Sequence, residues 1–383
     1  LPIDPGATIG NAAATPDGAV VVSASAPPMV GGTRQIVAKL DPAGNVLWST
    51  EITGASTVVV AASPTGAVFA AGVFFGTLSV VTPNIASNSA NAGFALALDG
   101  DTGAVTWGRA LSIGFLPSAI AATSTGDLAI AGVRTRASVM LDGKTAAPTF
   151  GNGLVAFLGG ADGSVASLQG VGTQAVTPTA TEHVAAMTLA TDTFAVVAMS
   201  VDGCGGGVEL GFGNAQGAAR ATEPLALPLL PTAAAVDARG RLLLAGDVRG
   251  PLPPDGAAPP GAVFAIDLIT QAIDARVELP APVSAMTTTD PGDVYVVGED
   301  GGASPFVARV DLDMNAYFIR DLTLTPPASG GPASALFGGV VALPSGAAVV
   351  GALTGTLDFG VGFASMPVTS TSTAHLFYAE LGP

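Results

Sequence analysis

Ala12-Ala13-Ala14-Thr15-Pro16-Asp17-Gly18-Ala19-Val20-Val21-Val22 reads as a small-apolar run, a tight turn closed by glycine, and a β-branched run. Pro-Asp-Gly supplies a bend with glycine where φ must be positive. The flanking runs are short and β-branched, as strands are. The same unit comes round as Val58–Gly72 about Gly66, Ser118–Gly132 about Gly126, Ala233–Gly246 about Gly240, Ser284–Gly298 about Gly292 and Gly338–Gly351 about Gly346. A seventh copy, Ala185–Met199, has Thr193 in place of the glycine. Gly18 to Gly346 takes six steps of about 55 residues, a period that signals stacked or radial repeats.

In most copies a second hairpin follows, with an Asp-rich turn: Ile36–Trp48, Phe94–Trp107, Leu154–Leu168, Val263–Leu279 and Phe306–Leu322. Two hairpins per repeat make a four-stranded antiparallel blade. Seven blades around one axis make an all-β, seven-bladed β-propeller. The expected blades run approximately over 8–53, 54–112, 113–172, 173–231, 232–280, 281–325 and 326–383, with 1–7 completing the last, in a single domain covering 1–383. The last repeat stops at Leu376–Leu381, one strand short. Leu1 stands 17 residues before Gly18, as Trp48 stands 18 before Gly66. Leu1-Pro2-Ile3 is therefore expected to close the ring as the outer strand of blade seven, hiding an open edge.

The innermost strands carry Ala12–Ala14, Ala61-Ala62, Ala119–Ala122, Ala185-Ala186, Ala233–Ala235 and Ser284-Ala285. Strands converging on one axis leave little room for bulk. Phe94, Phe157, Phe264, Phe306 and Phe377 recur on the third strand, where the space between diverging blades needs filling.

Charged residues make up 11% of the chain, against roughly 25% in ordinary domains. The net charge of −16 argues against a nucleic-acid partner, whose phosphates need a basic surface. Apolar runs are strand-length and fall short of the ~18 residues of a transmembrane span. A surface this poor in charge repels neighbours weakly and suits contact with copies of itself or another protein; equally, it reads as the neutral surface of a secreted protein that tolerates a harsh exterior. Cys204 is the only cysteine, so no internal disulfide forms, and it reads as an incidental thiol in a Gly-rich loop ahead of an intermolecular bridge. The chain starts at Leu1 without Met, which reads either as an export segment already removed or as a trimmed chain.

The repeat resembles the secreted seven-bladed propeller repeats of bacteria called SBBP repeats. Leu353-Thr354-Gly355-Thr356-Leu357-Asp358-Phe359-Gly360 and, in part, Val73–Leu78 match the first segment of that pattern. Ile36-Val37-Ala38-Lys39-Leu40-Asp41 and Phe306-Val307-Ala308-Arg309-Val310-Asp311 match the second, and Trp48 and Trp107 the outer-strand tryptophan. Blade four departs furthest. The resemblance implies export and surface exposure, and no catalytic residues.

The candidate chemistry is thin. Asp99-Gly100-Asp101-Thr102-Gly103 and Asp311-Leu312-Asp313-Met314-Asn315 alternate oxygen ligands as calcium loops do. The sixth and twelfth positions, which such loops give to Gly and Glu, hold Ala104 and Ala110 in one and Ala316 and Leu322 in the other. Both stretches occupy the recurring turn, where backbone geometry alone demands Asp and Gly. His183 and His375 have no metal-binding spacing. Gly205–Gly213 lacks the Lys and Ser/Thr of a phosphate loop and reads as a loop or bulged strand. Asp237 and the Glu182–His183 pair are the titratable groups nearest the expected axis. Thr369–Thr373 reads as a polar strand or loop, with O-glycosylation as the alternative. The loops Val80–Gly93, Arg134–Gly153, Arg249–Gly261 and Phe359–Thr373 are the candidate binding surfaces.

The sequence thus predicts a non-enzymatic extracellular or cell-surface propeller, with no cofactor and no metal. Its partners are copies of itself or another envelope or extracellular protein. The alternative is a binding module for a surface glycan or peptide, and behind it stands a hydrolase or lyase with an axial site.

Overall fold

The computed structural model describes residues 7–381 apart from 30–31, 81–83, 88–90, 137, 147–151, 173–180, 192–193, 203–206, 217–218, 222–224, 226, 250–258, 290–291, 302–303, 345 and 360–367. Among the described residues there are strands and turns and no helix. The chain opens with β1 (Thr8–Ala14), β2 (Val20–Met29), β3 (Gly32–Leu40) and the long β4 (Val46–Ala62), each antiparallel to the next. The first half of β4 pairs β3. Its second half pairs β5 (Ala67–Ser79), which continues through β7 (Ala92–Asp99) to β8 (Val105–Ile113), while β6 (Ile85–Ala86) adds to the end of β5. One strand is thus the outermost of one unit and the innermost of the next.

Separate four-stranded sheets follow. The first is β9 (Phe115–Ala122), β10 (Leu128–Arg134), β13 (Gly153–Leu158) and β14 (Val165–Val171), with a small hairpin, β11 (Val139–Leu141) and β12 (Lys144–Ala146), inserted after β10. Then come β15 (Thr181–Thr191), β16 (Phe194–Asp202), β17 (Gly207–Asn214) and the short β18 (Ala219–Ala221). The next two sheets are β19 (Leu229–Val236), β20 (Leu242–Val248), β21 (Gly261–Ile266), β22 (Ile273–Leu279), and β23 (Val283–Thr288), β24 (Val294–Gly298), β25 (Phe306–Val310), β26 (Ala316–Asp321). The last has β28 (Ser334–Leu343), β29 (Gly346–Asp358) and β30 (Val368–Leu381), with β27 (Thr323–Thr325) paired to the far end of β29.

The strands read as continuous apolar runs because both faces of each sheet are covered. Leu242 and Leu244 face one neighbour, packing with Val196, Leu210 and Phe212. Leu243 and Ala245 face the other, packing with Val294, Val296 and Phe306. The same division holds at each step along the chain, and Val20, Val22 and Ala24 of the first sheet pack with Val341, Ala348 and Val350 of the last. The recurrent Phe94, Phe157, Phe264, Phe306 and Phe377 all lie buried in these layers. Phe306 and Phe377 sit over Gly298 and Gly351, where an added Cβ would come within 2.5 Å and 2.6 Å of the rings.

The predicted turns are observed: Gly18, Gly66, Gly126, Gly240, Gly292 and Gly346 all have positive φ. In the second hairpins Gly44, Gly103 and Gly163 do the same, but Gln271 and Met314 take that conformation with a side chain. Thr193 and Leu1-Pro2-Ile3 fall outside the described residues, as does Cys204.

Three readings of loops need correction. Arg134–Gly153 contains the β11–β12 hairpin, whose Val139, Leu141 and Ala146 are buried against the third unit. Asp142 in its turn is held by both terminal nitrogens of Arg109 at 2.9 and 2.6 Å. Strands of three residues lie below the length at which alternation can be read. Gly207–Gly213, read as loop or bulge, pairs in regular register with β16. Phe359–Thr373 ends inside β30, so Thr369–Thr373 is strand.

Polar side chains tie successive sheets at the turn end. Trp48 Nε1 donates to the Gly100 carbonyl at 2.9 Å, and Trp107 Nε1 to the Gly160 carbonyl at 2.7 Å. Lys39 Nζ reaches the same Gly100 carbonyl at 3.0 Å and Asp17 at 2.7 Å. Arg309 holds Asp293 at 2.6 Å within one sheet, as Lys39 holds Asp17. Trp48, Lys39 and Asp17 are thus parts of one clamp.

Candidate functional site

The strands β1, β4, β9, β15, β19, β23 and β28 face a common cavity of about 520 Å³. That volume lies within the ~300–1,000 Å³ of small-molecule sites. Its wall is made of Ala12–Ala14, Val59–Ala62, Ala119, Ala186, Ala233, Ala285, Gly338 and Gly339, with Met187 and Met286 the largest side chains. Asn11, Ser118, Thr232 and Ser284 add polar side chains to this mostly small and apolar lining.

Each inner strand is bulged at the same place. Pairing with the second strand skips Gly10, Ser56, Ser118, Ala185, Thr232, Ser284 and Gly338. A bulge adds one unpaired residue and bends the strand. Here the skipped residue and its neighbours reach sideways. Ser118 Oγ donates to the Val184 carbonyl at 3.0 Å and Thr232 Oγ1 to the Val283 carbonyl at 2.7 Å. Asn11 satisfies both backbone groups of Val60, donating to its carbonyl at 3.0 Å and accepting its N–H at 2.9 Å. Opposite the bulges, Gly72, Gly132, Gly246, Gly298 and Gly351 let a carbonyl of the inner strand approach to a point 1.9–2.4 Å from where a Cβ would stand.

Two carboxylates extend this rim. Asp247 accepts the N–H of Val283, and burial pushes its pKa up against the opposing pull of Arg249, 4.0 Å away. Glu299 accepts Ser284 Oγ–H at 2.5 Å and the N–H of Phe337. Burial raises the Glu299 pKa too, and the charge of Asp247 adds to the rise. Sequence reasoning passed over this pair. The available signal is an acid directly after the recurring glycine, in Gly246-Asp247 and Gly298-Glu299, where other repeats have Val73, Val133 and Ala352.

The residues singled out in the sequence are not brought together. Asp237 belongs to a hairpin turn: its Oδ1 accepts the N–H groups of Arg239 and Arg241 at 2.9 Å, and its Oδ2 takes the Arg241 guanidinium at 2.9 Å. Asp99 accepts from Asp101, from the Thr102 amide and from the Thr102 hydroxyl, which lowers its pKa. Asp311 is held low by the backbone of Asn315 in the same manner. These carboxylates face their own turns. Glu182 and His183 sit on β15 opposite Val201 and Ser200, and His375 sits on β30 opposite Leu353, in different sheets. Among the described residues no group of three or more His, Cys, Asp or Glu could hold a metal, and no helix is long and apolar enough to cross a membrane.

No protein-family model matches the chain, and no curated protein matches it. Solved structures do. The β-propeller domain of the trilobed protease from Pyrococcus furiosus, described as having an open velcro topology, aligns with a TM-score of 0.54 at 11% identity, covering 98% of this chain and 95% of that one. A protein of unknown function from Dyadobacter fermentans aligns at 0.49 with 13% identity, over 98% and 96% of the two chains. The β-propeller domain of Cps50 (Swd1) from Myceliophteria thermophila aligns at 0.43 with 13% identity, over 82% and 86%. With the strand order above, the likeness to the Pyrococcus furiosus domain shows the fold: the chain is a β-propeller.

Proposed function

We propose that the protein is a non-enzymatic, extracellular or cell-surface propeller that acts through contacts with copies of itself or with another envelope protein. The observation that carries this reading is the uneven covering of the outer strands. The hairpin β11–β12 packs on β8 and β14. Among the described residues no strand pairs with the free edges of β22 or β26. Ile273 on β22 is 49% exposed, with Ile269 in the turn before it at 90%, and Tyr317 and Ile319 on β26 are 62% and 40% exposed. Soluble monomers seldom leave apolar side chains along an unpaired edge. A surface with 11% charged residues does little to discourage contact there. The resemblance to SBBP repeats supports export. Sedimentation from micromolar to submillimolar concentration tests the self-contact, with Ile273→Asp/Tyr317→Asp/Ile319→Lys as the comparison. Association of the native chain that the triple variant loses is expected. A native chain that stays monodisperse and monomeric throughout would sink it.

The ring belongs to the same proposal. We take it to have seven blades and to be closed, with residues 1–7 completing the last blade. Its support is the packing of β1 against β28, where a Cβ on Gly338 would meet Ile9 at 2.3 Å, and the burial of Ala7 in the layer shared by the first and last sheets. A chain lacking residues 1–7 is expected to melt several degrees lower, and an unchanged melting temperature would remove the closure.

A further inference from the structure

Most carboxylates with a displaced pKa in this propeller are held low by their own turns. Asp247 and Glu299 are displaced the other way, and they occupy equivalent places in consecutive sheets, each one residue after the glycine opposite a bulge. Each reaches sideways to the inner strand of the next sheet. Asp247 takes the N–H of Val283, the residue before the bulge at Ser284. Ser284, which lines the cavity, donates to Glu299 at 2.5 Å, and Glu299 takes the N–H of Phe337, the residue before the bulge at Gly338. The bonds run in one line from β20 through β23 and β24 to β28.

The charged surroundings of the pair are sparse. Strands β19, β21, β23 and β28 contain no ionisable side chain, β20 contains Asp247 alone, and β24 contains Tyr295, whose ring lies under Arg309. Arg249 stands 4.0 Å from Asp247 with its own side chain 65% exposed, and Asp300 follows Glu299 on the surface. One weakly held cation therefore faces Asp247, and the charge of Asp247 bears on the half-buried Glu299. A carboxyl group that gains a proton keeps acceptor capacity for an N–H, so the bonds to Val283 and Phe337 survive protonation while the repulsion between the two groups disappears.

We propose that Asp247 and Glu299 form a proton-responsive latch across three consecutive sheets, drawing the rim of the axial cavity together in mild acid and loosening it when both carboxyls are ionised. The sign follows from linkage. A carboxyl raised above its ordinary value contributes stability that is fully present below that value, 3.8 for Asp and 4.5 for Glu, and lost as pH rises through the folded midpoint. The latch rests on the strand arrangement and not on the proposed assembly.

Amide resonances of Val283, Ser284 and Phe337, followed from pH 3 to 8 in the full chain, test it. Val283 and Phe337 are expected to titrate with midpoints above 3.8 and 4.5. Asp247→Asn is expected to lower the Phe337 midpoint, because the neighbouring anion is gone, and Glu299→Gln to flatten the Phe337 curve. At pH 7 Asp247→Asn should also slow hydrogen exchange at Gly338 and Gly339. Carboxylates that braced the fold one by one would leave the Phe337 midpoint where it was. Glu299→Gln, with the Val283 curve kept and the Phe337 curve lost, serves if Asp247→Asn does not fold. Flat amide curves between pH 3 and 8, or a Phe337 midpoint identical in native and Asp247→Asn protein, would overturn the latch.

Discussion

Replacing Gly246 by alanine places one methyl group where the fold brings two backbones together. The added Cβ would stand 2.1 Å from the Leu230 carbonyl oxygen, 2.8 Å from its carbon and 2.9 Å from Pro231 Cα. Ordinary contact begins at 3.4 Å, so β19 or β20 must move by more than 1 Å. No flexible side chain can absorb the clash. Overpacking of this kind costs about 1–3 kcal/mol. Displacing the bulge also weakens a ladder hydrogen bond on one side of Gly246, which pairs Pro231 and Ala262, for about 1 kcal/mol. Against this, alanine in a strand interior recovers about 0.5–1 kcal/mol relative to glycine. The balance is a destabilisation of about 1–3.5 kcal/mol. With an unfolding entropy near 2 cal/mol/K per residue over 383 residues, that lowers Tm by about 1–4 °C. Calorimetry and urea midpoints measure it. Gly66→Asn is the control: nothing lies within 4 Å of its Cβ position, and Asn tolerates the positive φ of 93°. A Gly246→Ala protein melting within 1 °C of the native chain would refute the account of the bulge.

Gln271 takes a φ of 60° that its counterparts Gly44, Gly103 and Gly163 take without a side chain, so Gln271→Gly is expected to stabilise by about 1 kcal/mol, read as a higher urea midpoint. Lys39 is the first cause holding Asp17 at about 2, ahead of the Thr15 hydroxyl. A lowered carboxylate contributes stability that is present above its ordinary 3.8 and lost as pH falls through about 2. In Lys39→Met the acid limb of a Tm–pH profile therefore moves up from near pH 2 toward pH 4. Tyr378 has its hydroxyl buried with no hydrogen-bond partner among the described residues, and burial, with Glu380 and Asp41 nearby, raises its pKa to about 12. Stability from that group is present below pH 10 and lost as pH rises through about 12, so Tyr378→Phe should raise Tm at neutral pH and flatten the alkaline limb.

What the sequence made legible is whatever the repeat imposes on every copy. Gly18 and its relatives announce turns because no other residue enters that conformation as easily. Gly72, Gly132, Gly246, Gly298 and Gly351 recur at the ends of the copies, and the reason is visible only in space, where each admits a carbonyl from the neighbouring strand. Trp48 and Lys39 stood out as motif residues, but their shared acceptor, the Gly100 carbonyl, lies in the next unit. The bulges left no mark, since Gly10, Ser56, Ser118, Ala185, Thr232, Ser284 and Gly338 share nothing but small size. Asp237 drew attention for its charge and belongs to a turn. Asp247 and Glu299 were missed because each looks like an ordinary surface acid until the second sheet is placed beside it.

The contrast between those two acids and the other rim groups bears on where function can reside. Ser118 and Thr232 join their sheets with neutral hydroxyls, and Asn11 does so with an amide. These bonds carry no dependence on pH. A second hydroxyl or amide at 247 or 299 could accept the same N–H groups at a smaller desolvation cost. Carboxylates there are the costlier solution to the same structural need, and they introduce a response to protons that the other seams lack. The repeat accounts for the fold. The properties that distinguish this propeller lie in its departures from the repeat: two acids on neighbouring seams, and two outer strands left uncovered with Ile273, Tyr317 and Ile319 in water.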